Sequence, residues 1–252
     1  MQIFKAQIKN QFFNIAYIHK QRTEELILFF HGIACTKNGF RHLYDDPIFH
    51  DYSLLFYDMV GHGDSSNPDN FSYSMEDQAL ICQQVLDQFP HEKLHLVAHS
   101  MGSAVALLLP PDTLSRISTF ANLEGNLIGE DCYFTRKIIQ NSFKEYKEIV
   151  FDKQKRKFVD NILFEYDRTS PVAIYKTAKS LVYWSDSNIL LTRFHDLSCR
   201  KAYFVGEETP DLEVLNRLRD IPIITIPGAG HAMMIERPKE FNKILHRFIE
   251  DA

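Results

Sequence analysis

The sequence predicts an α/β fold: a mostly parallel central sheet flanked by helices, carrying a helical cap insertion. Three observations lead there. Short apolar runs that end at glycine or polar residues recur through the chain. Segments of helical periodicity alternate with them. That alternation lapses once, between about residues 126 and 189.

The elements follow in order. Segments near Ile3–Ile8 and Asn14–Ile18 alternate in polarity and read as half-exposed antiparallel strands. Glu25–Phe30, Ser53–Tyr57, Leu94–Ala98, Ile117–Ala121, Lys201–Val205 and Pro222–Ile226 are short and apolar throughout, the pattern of strands buried on both faces. Ser74, with Asp77 three residues on, starts a helix whose Met75, Ala79, Cys82, Val85, Leu86 and Phe89 share one face. An apolar helix follows Ser100 as far as Leu109 and stops at Pro110-Pro111. Pro238 opens a last helix with a stripe of Phe241, Ile244, Leu245, Phe248 and Ile249. The expected domains are a core of 1–125 and 190–252 and a helical cap of 126–189.

Composition excludes several classes. The 252 residues are 45% hydrophobic and 24% charged, which rules out disorder, collagen and coiled coil. The net charge of −5 gives no electrostatic case for nucleic acid. No window of about 18 apolar residues predicts a membrane span, and the first ten residues lack the apolar stretch of a secretory signal. Cys35, Cys82, Cys132 and Cys199 are isolated, as expected of reduced thiols in a cytoplasmic protein. No His, Asp or Glu cluster has metal-ligand spacing, so neither a metal nor a cofactor is expected. The partner expected is a small-molecule substrate, with the oligomeric state left open.

The chemistry gathers at strand ends. Ala98-His-Ser100-Met-Gly102 sits between a strand and an apolar helix. A sharp strand–turn–helix exposes a central Ser, and it needs small residues two before and two after. Ala98 and Gly102 meet that need. Phe29-Phe-His31-Gly32-Ile33 leads from an earlier strand into a loop. The backbone N–H groups of Ile33 and Met101 are candidate oxyanion donors, and the bland alternative there is a glycine turn with a solvent-facing His31. Asp58 to Ser65, with glycines either side of His62, reads as a structural loop. A base must reach Ser100. Of the 11 histidines, His231 alone follows the last strand in a glycine loop before a helix, while His99 is expected to point away from Ser100.

These pieces, His31-Gly32, Asp58-x-x-Gly61-His62-Gly63-x-Ser65, Ala98-His-Ser100-Met-Gly102 and Gly230-His231, resemble the α/β-hydrolase superfamily in its capped, lipase/esterase-like branch. The resemblance spans essentially the whole chain and is weakest in the cap. It implies Ser100 as nucleophile, His231 as base, and Ile33 and Met101 as oxyanion hole. It departs at the acid. In most such proteins an Asp lies about three residues beyond the glycine that ends the strand before the His strand; here Thr209 occupies that place, with Asp211 two residues late and Glu207 and Glu208 early. Glu124, at the tip of the strand starting at Ile117, matches the position of a catalytic Glu in the haloalkane-dehalogenase-like branch. Glu124 is the leading candidate, and Asp211, Glu207 and Glu208 stay open.

A Ser nucleophile fits acyl transfer to water. The expected reaction is hydrolysis of a small or medium apolar ester, thioester or lactone. The alternatives are carbon–carbon bond hydrolysis and a non-catalytic ligand receptor. Aromatic residues are the compositional excess, at 13%, and eleven of them lie in the insertion. Some are expected to line an apolar pocket, although packing is the commoner role for any single one. The basic run Lys153–Lys157 reads as a solvated helix face.

Overall fold

The strand segments pair into one eight-stranded sheet ordered β1-β2-β4-β3-β5-β6-β7-β8. The strands of this computed structural model are β1 Gln2–Ile8, β2 Gln11–Lys20, β3 Glu25–Phe30, β4 Ser53–Tyr57, β5 Lys93–His99, β6 Ile117–Leu123, β7 Arg200–Gly206 and β8 Ile223–Ile226. The structure describes residues 1–158, 163–210 and 212–251. β1–β2 and β2–β4 are antiparallel, and every other neighbouring pair is parallel. The helices are α1 Met75–Leu86, α2 Met101–Leu107, α3 Pro111–Leu114, α4 Tyr133–Ile139, α5 Phe143–Glu145, α6 Phe151–Lys157, α7 Pro171–Asp186, α8 Ile189–Asp196, α9 Met233–Glu236 and α10 Pro238–Glu250.

The strands' two faces feed two apolar clusters. Leu26, Leu28, Leu96 and Phe120 pack on one side with α1 and α2. Ile27, Phe29, Val97 and Phe204 pack on the other with α10. β8 departs from the expectation of burial on both faces. It is the sheet's edge, and Ile223 is 45% exposed. The post-Ser100 helix also ends earlier than its apolar run suggests. α2 stops at Leu107, and Pro111 opens the separate α3, because proline serves a first helical turn without needing its missing N–H.

Between β6 and β7 the described regular elements are all helices, apart from an isolated bridge from Thr169 to His62. This stretch is fastened to the loops after β3 and β4. Glu165 N–H donates to the Ala34 carbonyl at 2.8 Å. The Glu165 carboxylate accepts from Thr36, and Arg168 bridges Glu165 and Asp64. Beneath it lies a buried ion pair, Lys37 Nζ to Asp58 Oδ2 at 2.6 Å.

Candidate active site

Parallel pairing puts the ends of β5, β6, β7 and β8 side by side. His99 is level with Leu123, and Leu123 with Phe204. Ser100 and Glu124 therefore leave neighbouring strand tips, with Ser100 N–H on the Leu123 carbonyl and Glu124 N–H on the Phe204 carbonyl, both at 3.0 Å. Each then bends through left-handed backbone, Ser100 at φ 52° and Glu124 at φ 43°. Such values are strained for any residue bearing a Cβ. The turn at Ser100 is tight enough that a Cβ on Gly102 would lie 2.7 Å from the His31 carbonyl oxygen.

His231 arrives from beyond β8. Its loop crosses the tip of β7, where a Cβ on Gly206 would fall 2.4 Å from the carbonyl oxygens of both Ala229 and Gly230. Only glycine lets the backbones pass that closely. The crossing brings His231 Nδ1 to 2.7 Å from Glu124 Oε2. A carboxylate only accepts, so Nδ1 carries the proton and Nε2 is the free acceptor. Glu124 Oε1 accepts from Gly206 N–H at 2.8 Å and from Thr209 Oγ1 at 2.7 Å. Burial alone would raise the Glu124 carboxyl, but the bonds from His231, Gly206 and Thr209 outweigh it and hold it below the usual range.

The other acid candidates are placed differently. Glu207 Oε2 accepts the Gly228 N–H at 2.7 Å, and Glu208 is exposed on the surface. Asp211 lies outside the described residues. Thr209 stands where sequence spacing expects an acid and instead donates to Glu124.

Ser100, Glu124 and His231 line one cavity of about 280 Å3, with Gly32 and Ile33 on its wall. Among the described residues no hydrogen bond joins Ser100 Oγ to His231, and none uses the N–H of Ile33 or Met101. Hydrogen bonds of this kind commonly tighten only with substrate bound. The His231 ring is 44% exposed toward the cavity mouth and solvent.

Two histidines differ from their expected positions. His31 is 1% exposed rather than solvent-facing. Its Nε2 accepts the Met59 N–H at 3.0 Å and its Nδ1 bonds the Gly32 carbonyl at 2.8 Å, which fixes the loop bearing Ile33. Burial pulls it down to about 4, so it is neutral. His99 turns toward the site instead of away. It lines the cavity, its Nε2–H donates to the His231 carbonyl at 3.0 Å, and its ring lies 4.7 Å from the His231 ring. The sequence carried one signal for it, adjacency to Ser100. Cys35 also lines the cavity, but burial pushes its thiol up and disfavours the nucleophilic thiolate.

Of the eleven aromatics in the insertion, Tyr133, Phe134 and Phe164 line the cavity. The others pack among themselves, as Phe158 does on Tyr166 with planes 5° apart. Among the described residues no group of three or more His, Cys, Asp or Glu is arranged to hold a metal ion, and no helix is long and apolar enough to cross a membrane.

Comparison with known proteins agrees with this architecture. A family model described as alpha/beta hydrolase fold matches residues 25–193. A protein described as a probable lysophospholipase, BODYGUARD 4 of Arabidopsis thaliana, is 34% identical over 95 residues, 35% of this chain. That match, like the one to BODYGUARD 1, spans about a fifth of the relative's length, 22%. A thermophilic esterase from Thermogutta terrifontis superposes with TM-score 0.78 at 18% identity, covering 100% of this chain and 99% of its own. The N-acyl homoserine lactonase AidH, solved as a variant with N-hexanoyl homoserine, superposes with TM-score 0.75 at 18% identity over 99% and 97%. At these identities the two structures show a shared fold.

Proposed function

Because the chain belongs to the α/β-hydrolase fold family, we propose that it is a serine hydrolase cleaving an ester, thioester or lactone through an acyl-enzyme. One observation carries this reading: a charged Glu124 holds His231 in the tautomer that leaves Nε2 able to take a proton, beside a Ser on a strained turn. His231 removes the Ser100 proton as Oγ attacks the carbonyl carbon. The oxyanion settles against the N–H groups of Ile33 and Met101, a term worth about 10²–10³ in rate per donor. Glu124 stabilises the imidazolium that forms. His231 returns the proton to the leaving group, and water then releases the acyl group by the same route.

The core of 1–125 and 190–252 supplies these groups, and residues 126–189 act as the cap. Phe134, Phe164 and Leu181 form the apolar wall for the substrate's hydrocarbon.

Labelling with a fluorophosphonate tests the proposal. One equivalent on Ser100, with ester turnover lost in a folded Ser100→Ala variant, is expected. A folded protein that neither labels nor turns over esters is a receptor, and the hydrolase reading fails. Diketone cleavage with little ester turnover would replace acyl transfer by carbon–carbon hydrolysis.

A further inference from the structure

The cavity is not apolar throughout. Its lining includes Asn126 and Asp131, both on the stretch that leaves β6 just past Glu124. Asn126 is 6% exposed. Its Nδ2 donates to the Asp131 backbone carbonyl at 2.8 Å. A carbonyl accepts only, so that bond fixes which end of the amide is nitrogen. Asn126 Oδ1 is then a buried acceptor with no partner among the described residues. Natural structures rarely leave such an atom unpaired without a reason.

Asp131 is half-buried, and its carboxylate is half-used. Its Oδ2 accepts from the N–H groups of Leu127 and Ile128 at 2.8 and 3.1 Å, while Oδ1 makes no hydrogen bond among the described residues. The two backbone bonds lock the carboxylate in place. Burial pushes this carboxyl up to about 6, so it is ionised at pH 8. Among the described lining residues Glu124 and Asp131 are acidic and none is Lys or Arg. Arg217, outside the cavity, is already paired with Glu130 at 3.1 Å.

A partly buried wall with a fixed negative charge favours donors and penalises anions, because a second anion there would be partly desolvated next to the first. We propose that the cavity wall around Asp131 binds a hydrogen-bond donor on the substrate, an ammonium best, a neutral hydroxyl or amide N–H next, and a carboxylate least. The inference rests on the reading of this cavity as the site where Ser100 meets its substrate, and it adds a polar terminus to an otherwise apolar acyl or alcohol portion.

The test is calorimetric titration of the 252-residue chain at pH 8 with three probes of one chain length: hexylammonium, hexanol and hexanoate. Hexylammonium is expected to bind at least tenfold more tightly than hexanoate, with hexanol between. Asp131→Asn keeps acceptors for the Leu127 and Ile128 N–H groups and is expected to bring the ratio within threefold. Equal binding, no binding, a preference for hexanoate, or an unchanged ratio in folded Asp131→Asn overturns the proposal. Should that variant fail to fold, the order in the wild-type protein decides alone. Binding is read without turnover, so it separates the two claims. The expected order with an unreactive Ser100 sinks the hydrolase and keeps this site. Fluorophosphonate labelling with no order among the probes does the reverse.

Discussion

Replacing Glu124 by Gln perturbs one proton. The carboxylate accepts at both ends, from His231 on Oε2 and from Gly206 and Thr209 on Oε1. Glutamine accepts at one end and donates at the other. If its NH2 faces Gly206, two donors meet in a buried site, at about 1–3 kcal/mol. If its oxygen faces Gly206, the NH2 faces His231 Nδ1, which must then accept. The imidazole proton moves to Nε2, and the base can no longer take the Ser100 proton. A preference of about 1–3 kcal/mol for that arrangement leaves the working tautomer about 5- to 150-fold depleted. The imidazolium also loses its counter-charge. At about 4 Å and an effective dielectric near 20 this is about 4 kcal/mol, and solvent at the half-open His231 ring reduces it to about 2 kcal/mol, or about 30-fold. The product is a kcat lower by roughly 10²–10⁴, with KM within about threefold. The assay is hydrolysis of a p-nitrophenyl ester from pH 6 to 9, with thermal melting to confirm folding. Asp211→Asn, run beside it, is expected to stay within twofold of wild type. More than a tenth of wild-type kcat in Glu124→Gln, or an equal loss in Asp211→Asn, would refute the assignment.

The remaining predictions concern the supports of the site. Gly206→Ala drives a Cβ into two carbonyl oxygens of the His231 loop and is expected to lower kcat by about 10²-fold in the same ester assay, since a shift near 1 Å costs about that much. His99→Phe keeps a ring beside His231 but removes the donor to its carbonyl; kcat is expected to fall about tenfold at constant KM, and His99→Gln, which restores an N–H, should recover most of it. Burial holds His31 and His95 at about 4 and His62 at about 3, and pulls His99 well below its ordinary value of 6.5. The unfolded chain therefore binds more protons below pH 6.5, and stability is complete above that pH and drains away as pH falls toward 4. Each histidine contributes about 2 kcal/mol of loss by pH 5, so urea midpoints are expected to collapse between pH 6.5 and 5; a midpoint flat across that window would contradict neutral burial.

Much of this was legible in residue order because strands and turns are local. β3 to β7 follow from apolar runs, and Ser100 from a strand, small flanking residues and a helix. The place of Glu124 at the tip of β6 was legible too. Its partners were not. Thr209 is 85 residues away and reaches Oε1 only because β6 and β7 pair in one particular register. His99 was misread for the same reason, since the carbonyl it binds is 132 residues on and lies on a loop whose path no local pattern encodes. β8 has the composition of an inner strand, and nothing in Pro222–Ile226 says that it is the sheet's edge among the described residues. The spare acceptors of Asn126 and Asp131 emerge only once every other hydrogen bond is counted.

The left-handed backbone at Ser100 and Glu124 has an evolutionary consequence. Glycine tolerates such angles freely, whereas each side-chain-bearing residue gives up about 1–2 kcal/mol there. Glycine at position 100 would relieve that strain outright, whereas at position 124 it would also strip the acceptor from Gly206, Thr209 and His231, so under the proposed function only the serine is held there by reactivity alone. Among the described residues Lys9, Ala34, Tyr73, Asn188 and Arg219 share such angles, so strain alone marks no site; what sets Ser100 and Glu124 apart is that they bear it at neighbouring strand ends on the wall of one cavity.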